Sequence, residues 1–265
     1  MLGFTSFLCQ LKCAVTSYQT LSPCVHLQDL NYSWPNGAKV LSIDNFSIQK
    51  KERLFLHGPS GSGKSTLLGL IAGVFAPSSG EATILNHAFH KLTAAARDRV
   101  RADTMGVIFQ QFNLVPYLTL VENVLLPCRF SRARAERVGA TEQQRINKAR
   151  ELLENLGLQE ELNANRPASE LSVGQQQRVA AARALIGSPA LVIADEPTSA
   201  LDADTRDTFI DTLLAEAKEA AVLFVSHDAS LSKHFDRLTA MQDVNFCLNK
   251  KTSPTCDNAR VLAET

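Results

Sequence analysis

Three short apolar runs punctuate this chain: Leu54-Phe55-Leu56, Leu191-Val192-Ile193-Ala194 and Val222-Leu223-Phe224-Val225. Each is too short for a helix and unbroken by polar residues, so each predicts a strand buried on both faces. Helical patterns lie between them, and that alternation is the signature of an α/β core. Ahead of the first run the pattern changes. Leu27-Gln28-Asp29-Leu30, Val40-Leu41-Ser42-Ile43 and Phe46-Ser47-Ile48 alternate, and Pro35-Asn36-Gly37 supplies a turn. A small antiparallel sheet laid against the core is expected there. From about Phe112 to about Pro167 the strand signal disappears. Ile146, Ala149, Leu152, Leu153 and Leu156 recur at helical spacing from Glu142 onward, with Gly157 as a stop.

No internal repeat or low-complexity linker interrupts this pattern, so a single folded unit is expected over 25–249, with a helical subdomain over about 112–167. Met1 to about Cys24 lacks a basic leading segment, and Lys12 interrupts its apolar residues, which argues against a signal peptide. The stretch 1–24 reads as a weakly ordered extension and 250–265 as a loose tail.

Composition narrows the class. The 265 residues carry 27 basic and 27 acidic side chains, a balance unlike that of a dedicated nucleic-acid binder, so no nucleic acid is expected. Arg129-Phe130-Ser131-Arg132-Ala133-Arg134 is a local basic patch, read first as a solvated face and second as a lipid or partner contact. The six cysteines form no C-x-x-C pair or zinc spacing, as in a reducing compartment. No apolar run is long enough to span a bilayer.

The chemistry sits at the ends of the predicted strands. Gly58-Pro59-Ser60-Gly61-Ser62-Gly63-Lys64-Ser65-Thr66 reads G-x-x-x-x-G-K-S between a strand and a helix. Glycines let such a loop turn its N–H groups toward phosphates, and the helix start adds a positive dipole end. Lys64 is expected to reach the β/γ oxygens of a nucleoside triphosphate, and Ser65 to bind Mg²⁺. Adenine calls for a flat partner, Trp34 or alternatively Tyr32, although Trp34 also suits packing within the small sheet. The run at Leu191 delivers Asp195 and Glu196 to a strand end, the edge where α/β folds bind ligands.

A further segment, Leu171-Ser172-Val173-Gly174-Gln175, precedes the Asp195-Glu196-Pro197-Thr198 strand end. Together with Gln110, Ser199-Ala200-Leu201-Asp202 and Ser226-His227-Asp228, this order resembles the ATPase subunit of an ATP-binding cassette (ABC) transporter. The resemblance spans about His26 to about Asn245. It implies a P-loop NTPase core with a small antiparallel β subdomain and an inserted α-helical subdomain. It implies that Asp195, Ser65 and Gln110 serve Mg²⁺, that Glu196 polarises the attacking water, and that His227 contacts the γ-phosphate. Ser172, Gly174 and Gln175, read as lying just before a helix over 176–185, would close over the ATP of a partner copy. Asp202 would belong to the loop crossing that seam. Val173 departs from the commoner glycine, and Met241-Gln242-Asp243-Val244-Asn245 lacks the usual Asp-Gly turn, which puts a final hairpin in doubt.

The implied assembly is a homodimer around two Mg-ATP, on the cytoplasmic face of the inner membrane, driving a separate permease. Asn113 to Thr119 and Glu122-Asn123-Val124 resemble the lipoprotein-release and macrolide-export group. The alternatives are a cell-division cassette regulating cell-wall hydrolysis and a soluble, non-transport ABC ATPase. The latter types carry two cassettes or a long coiled coil, and this chain has neither. Phe112, Leu114 and Val115 are too apolar for a free loop. They are read as lining a permease groove or as packing the helical lobe.

Overall fold

In a computed structural model, the structure describes residues 22–249 except 36, 38, 165, 200 and 202. The expectations for the ends beyond that range, for the middle of the Pro35 turn and for Asp202 lie outside the described residues. Two sheets form the frame. β1 (Val25–Ser33) and β2 (Lys39–Ile48) pair antiparallel, and β4 (Ser79–Ile84) and β5 (His87–Ala88) extend them in the order β2-β1-β4-β5. The expected small sheet therefore exists, but half of its strands follow the phosphate loop in sequence.

The second sheet is parallel throughout. It contains β3 (Arg53–His57), β6 (Met105–Ile108), β7 (Leu191–Asp195), β8 (Ala221–Ser226) and β9 (Arg237–Ala240), ordered β6-β7-β8-β3-β9. The three strands predicted from apolar runs are the three interior ones. Their alternate residues feed two different cores. Phe55, Val222 and Phe224 join one cluster, while Leu54, Leu56, Leu223 and Val225 join the other. Burial on both faces is why these strands read as continuous apolar runs.

The helices follow from their caps and stripes. α1 (Lys64–Ile71) leaves the phosphate loop, and α2 (Ala94–Thr104) leads into β6. The helical lobe comprises α3 (Leu120–Phe130), α4 (Arg132–Val138), α5 (Glu142–Asn155) and α6 (Gln159–Ala164). Thr119 with Glu122 and Thr141 with Gln144 form capping boxes at α3 and α5. The α5 stripe buries Ala149, Leu152 and Leu153, and Gly157 ends it with φ 74°.

α7 (Val173–Leu185) and α8 (Ala203–Glu216) back the parallel sheet. In place of a hairpin, the described residues end with α9 (Met241–Val244) and α10 (Phe246–Asn249).

Arginines fasten the lobe to the core, which settles the basic patch. Arg134 is buried and donates to the Met105 carbonyl, while Arg137 donates to the Gly187 carbonyl at 2.8 Å. Burial pushes the Arg134 pKa down to about 10. Of the arginines in that patch, Arg129 and Arg132 remain exposed.

Candidate functional site

The phosphate loop runs from the end of β3 into α1. Gly63, the N-cap of α1, has φ 97°, and a Cβ there would lie 2.8 Å from a Leu41 methyl, so glycine answers both demands. A Cβ on Gly58 would lie 2.8 Å from the Met241 Cβ. No side chain caps α1, which leaves its first N–H groups for an anion. Lys64 is nearly buried, and its Nζ donates to the Gly58 and Pro59 carbonyls at 2.6 and 3.0 Å. The ammonium is thus folded over the loop it would serve.

A cavity of about 460 Å³ opens here. Ser60, Gly61, Gly63, Lys64, Ser65 and Thr66 line it, together with Val40, Gln110, Asp195, Glu196 and His227. Residues separated by more than a hundred positions therefore meet at the carboxyl edge of the parallel sheet. Ser65 Oγ donates to Asp195 Oδ2 at 3.2 Å. Adjacent oxygens around octahedral Mg²⁺ lie about 3 Å apart when metal–oxygen distances are about 2.1 Å, so this hydroxyl–carboxylate pair fits that ion. Among the described residues no cluster of three or more His, Cys, Asp or Glu could hold a metal. Burial raises the Asp195 pKa, the Ser65 hydrogen bond lowers it, Glu196 raises it and Lys64 lowers it.

Glu196 follows directly, with a left-handed φ of 46° and its N–H bonded to the Val225 carbonyl at 2.9 Å. A non-glycine residue held in that region is a strained position of the kind found at functional sites. Its Oε2 lies 2.7 Å from His227 Nδ1. Asp228 braces the next turn. Its Oδ1 accepts from Ser230 N and Oγ at 3.0 and 2.6 Å, and its Oδ2 accepts from Arg206 at 2.5 Å. Arg206 also donates to the Leu201 carbonyl at 3.1 Å.

Ser172, Gly174 and Gln175 are placed elsewhere. The helix begins at Val173, so Gly174 and Gln175 belong to its first turn, a correction to the expected start at Gln176. Ser172 and Gln175 form a capping box: Ser172 N–H donates to Gln175 Oε1 at 2.7 Å, and Gln175 N–H to Ser172 Oγ at 3.3 Å. Such a box explains both residues at this spacing without any ligand. None of the three lines the phosphate cavity; Gly174 lines a separate one with Leu201 and Phe209.

The aromatic candidates differ in access. Tyr32 is 7% exposed, its ring against Trp34 and Phe75 at 5.2 and 5.7 Å, so it offers no free face for a base. Trp34 is 43% exposed and packs edge-on against both. Phe112 is buried in the larger core and Leu114 packs against it, so the reading of these two as a docking surface is corrected. Phe112 and Asn113 have φ of 53° and 50° and offer their carbonyls to Arg183 of α7. That contact ties the Gln110 loop to α7, the helix capped by Ser172. Sequence reading missed Arg183, Arg206 and Asn245. Only Asp228-Ala229-Ser230 carried a local signal, the Asx turn.

With this geometry in view, the comparisons agree. The ABC transporter family profile matches residues 41–199, and the chain belongs to that family. It is an ABC ATP-binding cassette and an ATPase. It is 39% identical over 228 residues to the uncharacterized ABC transporter ATP-binding protein Rv0986 of Mycobacterium tuberculosis, covering 83% of this chain and 87% of that one. It is also 39% identical over 224 residues to the uncharacterized ABC transporter ATP-binding protein MJ0796 of Methanocaldococcus jannaschii, covering 83% and 93%. A dimeric structure of the MJ0796 cassette in a post-hydrolysis state with ADP and Pi superposes with a TM-score of 0.72 at 36% identity, covering 83% of this chain and 94% of that one. A second dimeric MJ0796 structure gives the same TM-score at 37% identity.

Proposed function

We propose that two copies of this cassette close around two Mg-ATP and drive a separate membrane permease. The observation that carries this is the division of the site. Phosphate-loop, acidic and histidine groups share one cavity, while Ser172 and Gly174 lie off it, so the latter would complete the site of a second copy. The dimeric MJ0796 cassettes support that reading.

Within the cavity, Lys64 would leave the Gly58 and Pro59 carbonyls to meet the β/γ oxygens. Ser65 and Asp195 would hold Mg²⁺, which when bound neutralises phosphate charge. Glu196 would accept a hydrogen bond from the attacking water. His227, held by Glu196, would be oriented toward the γ-phosphate. Gln110 would report on the same water and ion, and Arg183 would pass its position to α7. The flat face for adenine would be Trp34.

No helix among the described residues is long and apolar enough to cross a membrane. A place on the cytoplasmic face of the membrane would therefore depend on docking. A groove of about 590 Å³ between α2, the end of β6, α3 and α7 suits it. Phe109 and Phe130 line it at 46% and 79% exposed. A permease of the lipoprotein-release or macrolide-export type is favoured by the resemblance in 113–124. Asn123 there is fully buried and bonds Val115 and Leu118, so that stretch acts through loop shape. Lys64→Ala should abolish nucleotide binding and turnover, and co-purification with a four-span permease would test the transport reading. Wild-type turnover in Lys64→Ala would overturn the site assignment.

A further inference from the structure

The segment where this chain departs from the expected Asp-Gly turn ends in Asn245, which is fully buried beside the phosphate loop. All four hydrogen-bonding functions of its amide are used. Nδ2 donates to the Ser62 carbonyl at 3.2 Å and to the Val40 carbonyl at 2.9 Å. Oδ1 accepts from the Ser42 and Cys247 N–H groups at 3.0 and 3.2 Å. One side chain thereby joins the loop, β2 and α10. Its Nδ2 would lie 3.5 Å from a Cβ on Gly63, so it also packs behind that glycine.

The Ser62 carbonyl and the Gly63 N–H belong to one peptide plane, and no cis bond occurs among the described residues. In a trans peptide these two groups point in opposite directions. Drawing the carbonyl toward Asn245 therefore aims the Gly63 N–H away from it. Gly63 lines the phosphate cavity and Ser62 does not. We propose that Asn245 is a positioning residue that sets the Gly63 amide toward bound phosphate by holding the Ser62 carbonyl on the opposite side. It touches no reacting atom. An amide suits the task because two carbonyls and two N–H groups converge on it; a carboxylate would lack the donors, and a leucine would leave all four unpaired.

This rests on the phosphate-loop assignment, so the test carries its own control. Binding of pyrophosphate and of ATP would be measured by calorimetry on wild type, Asn245→Asp, Asn245→Ala, Val244→Ala and Lys64→Ala. Loss of one oriented N–H donor to a phosphate should weaken both ligands by about tenfold, in equal proportion, in both Asn245 variants. Val244 is buried next door and makes no such bond, so its variant should lower the melting temperature while leaving pyrophosphate affinity unchanged. Normal pyrophosphate affinity in folded Asn245→Ala would overturn the proposal. So would a loss for ATP alone, which would show Asn245 acting through β2 on the nucleoside. If Lys64→Ala also binds pyrophosphate normally, the loop assignment itself falls, and the proposal falls with it.

Discussion

Glu196 Oε2 and His227 Nδ1 lie 2.7 Å apart, although 31 positions separate them in the chain. The carboxylate is mostly enclosed, with 18% of its side chain exposed, while the imidazole is open at 66%. A largely enclosed acceptor thus holds an exposed ring, and it does so from a strained backbone at φ 46°.

Glu196→Gln keeps the side-chain shape and its acceptor oxygen but removes the charge that, under the proposed function, would polarise water. Turnover should fall by about 10²-fold or more, with nucleotide binding retained. With Mg-ATP the variant should accumulate as a dimer, measurable by light scattering. Monomer alone at high protein and ATP concentration would contradict the shared-site reading.

Arg206 ties Asp228, the neighbour of His227, to the Leu201 carbonyl. Arg206→Met should lower kcat by about tenfold through misplacement of that turn, with little change in KM for ATP. Asp228→Asn should act similarly, and the double variant should be no worse than either single one, because both cut the same link. Steady-state kinetics on all three would show additive losses if the two residues act separately.

Phe130 lies at the groove between core and helical lobe and is 79% exposed. Phe130→Asp should change stability by no more than about 0.5 kcal/mol, since the ring is mostly solvated. Permease-stimulated ATPase activity should fall while basal activity holds. Unchanged stimulation would move docking elsewhere.

Cys24 is buried, and burial pushes its thiol up to about 12, opposed by the charge of Lys50. The folded protein therefore retains a proton that the unfolded chain releases above about pH 8.5. Stability from this group is full below that pH and declines as pH rises. Cys24→Ala should flatten that alkaline decline in denaturant titrations. In the folded wild type, Cys24 should resist thiol reagents at pH 8, and mass spectrometry should find it labelled only after unfolding.

The sequence alone determined what local pattern can encode. Unbroken apolar runs identified β3, β7 and β8, because a strand buried on both faces must be apolar at every position. Edge strand β9 was silent, since Arg237–Ala240 is partly exposed and need not be apolar. Spacing singled out the Gly58–Thr66 loop and the Asp195-Glu196 pair, which the structure brings to one cavity, because loop curvature and strand ends are properties of neighbouring residues. Tertiary structure decided everything that depends on distance across the fold. It hid Tyr32 and left Trp34 open. It buried Phe112 and turned Arg134 from a surface charge into a clamp. It also brought Asn245 behind Gly63, a contact across 182 positions that no periodicity could signal, because a hydrogen bond to a backbone carbonyl constrains only the donor's place in space.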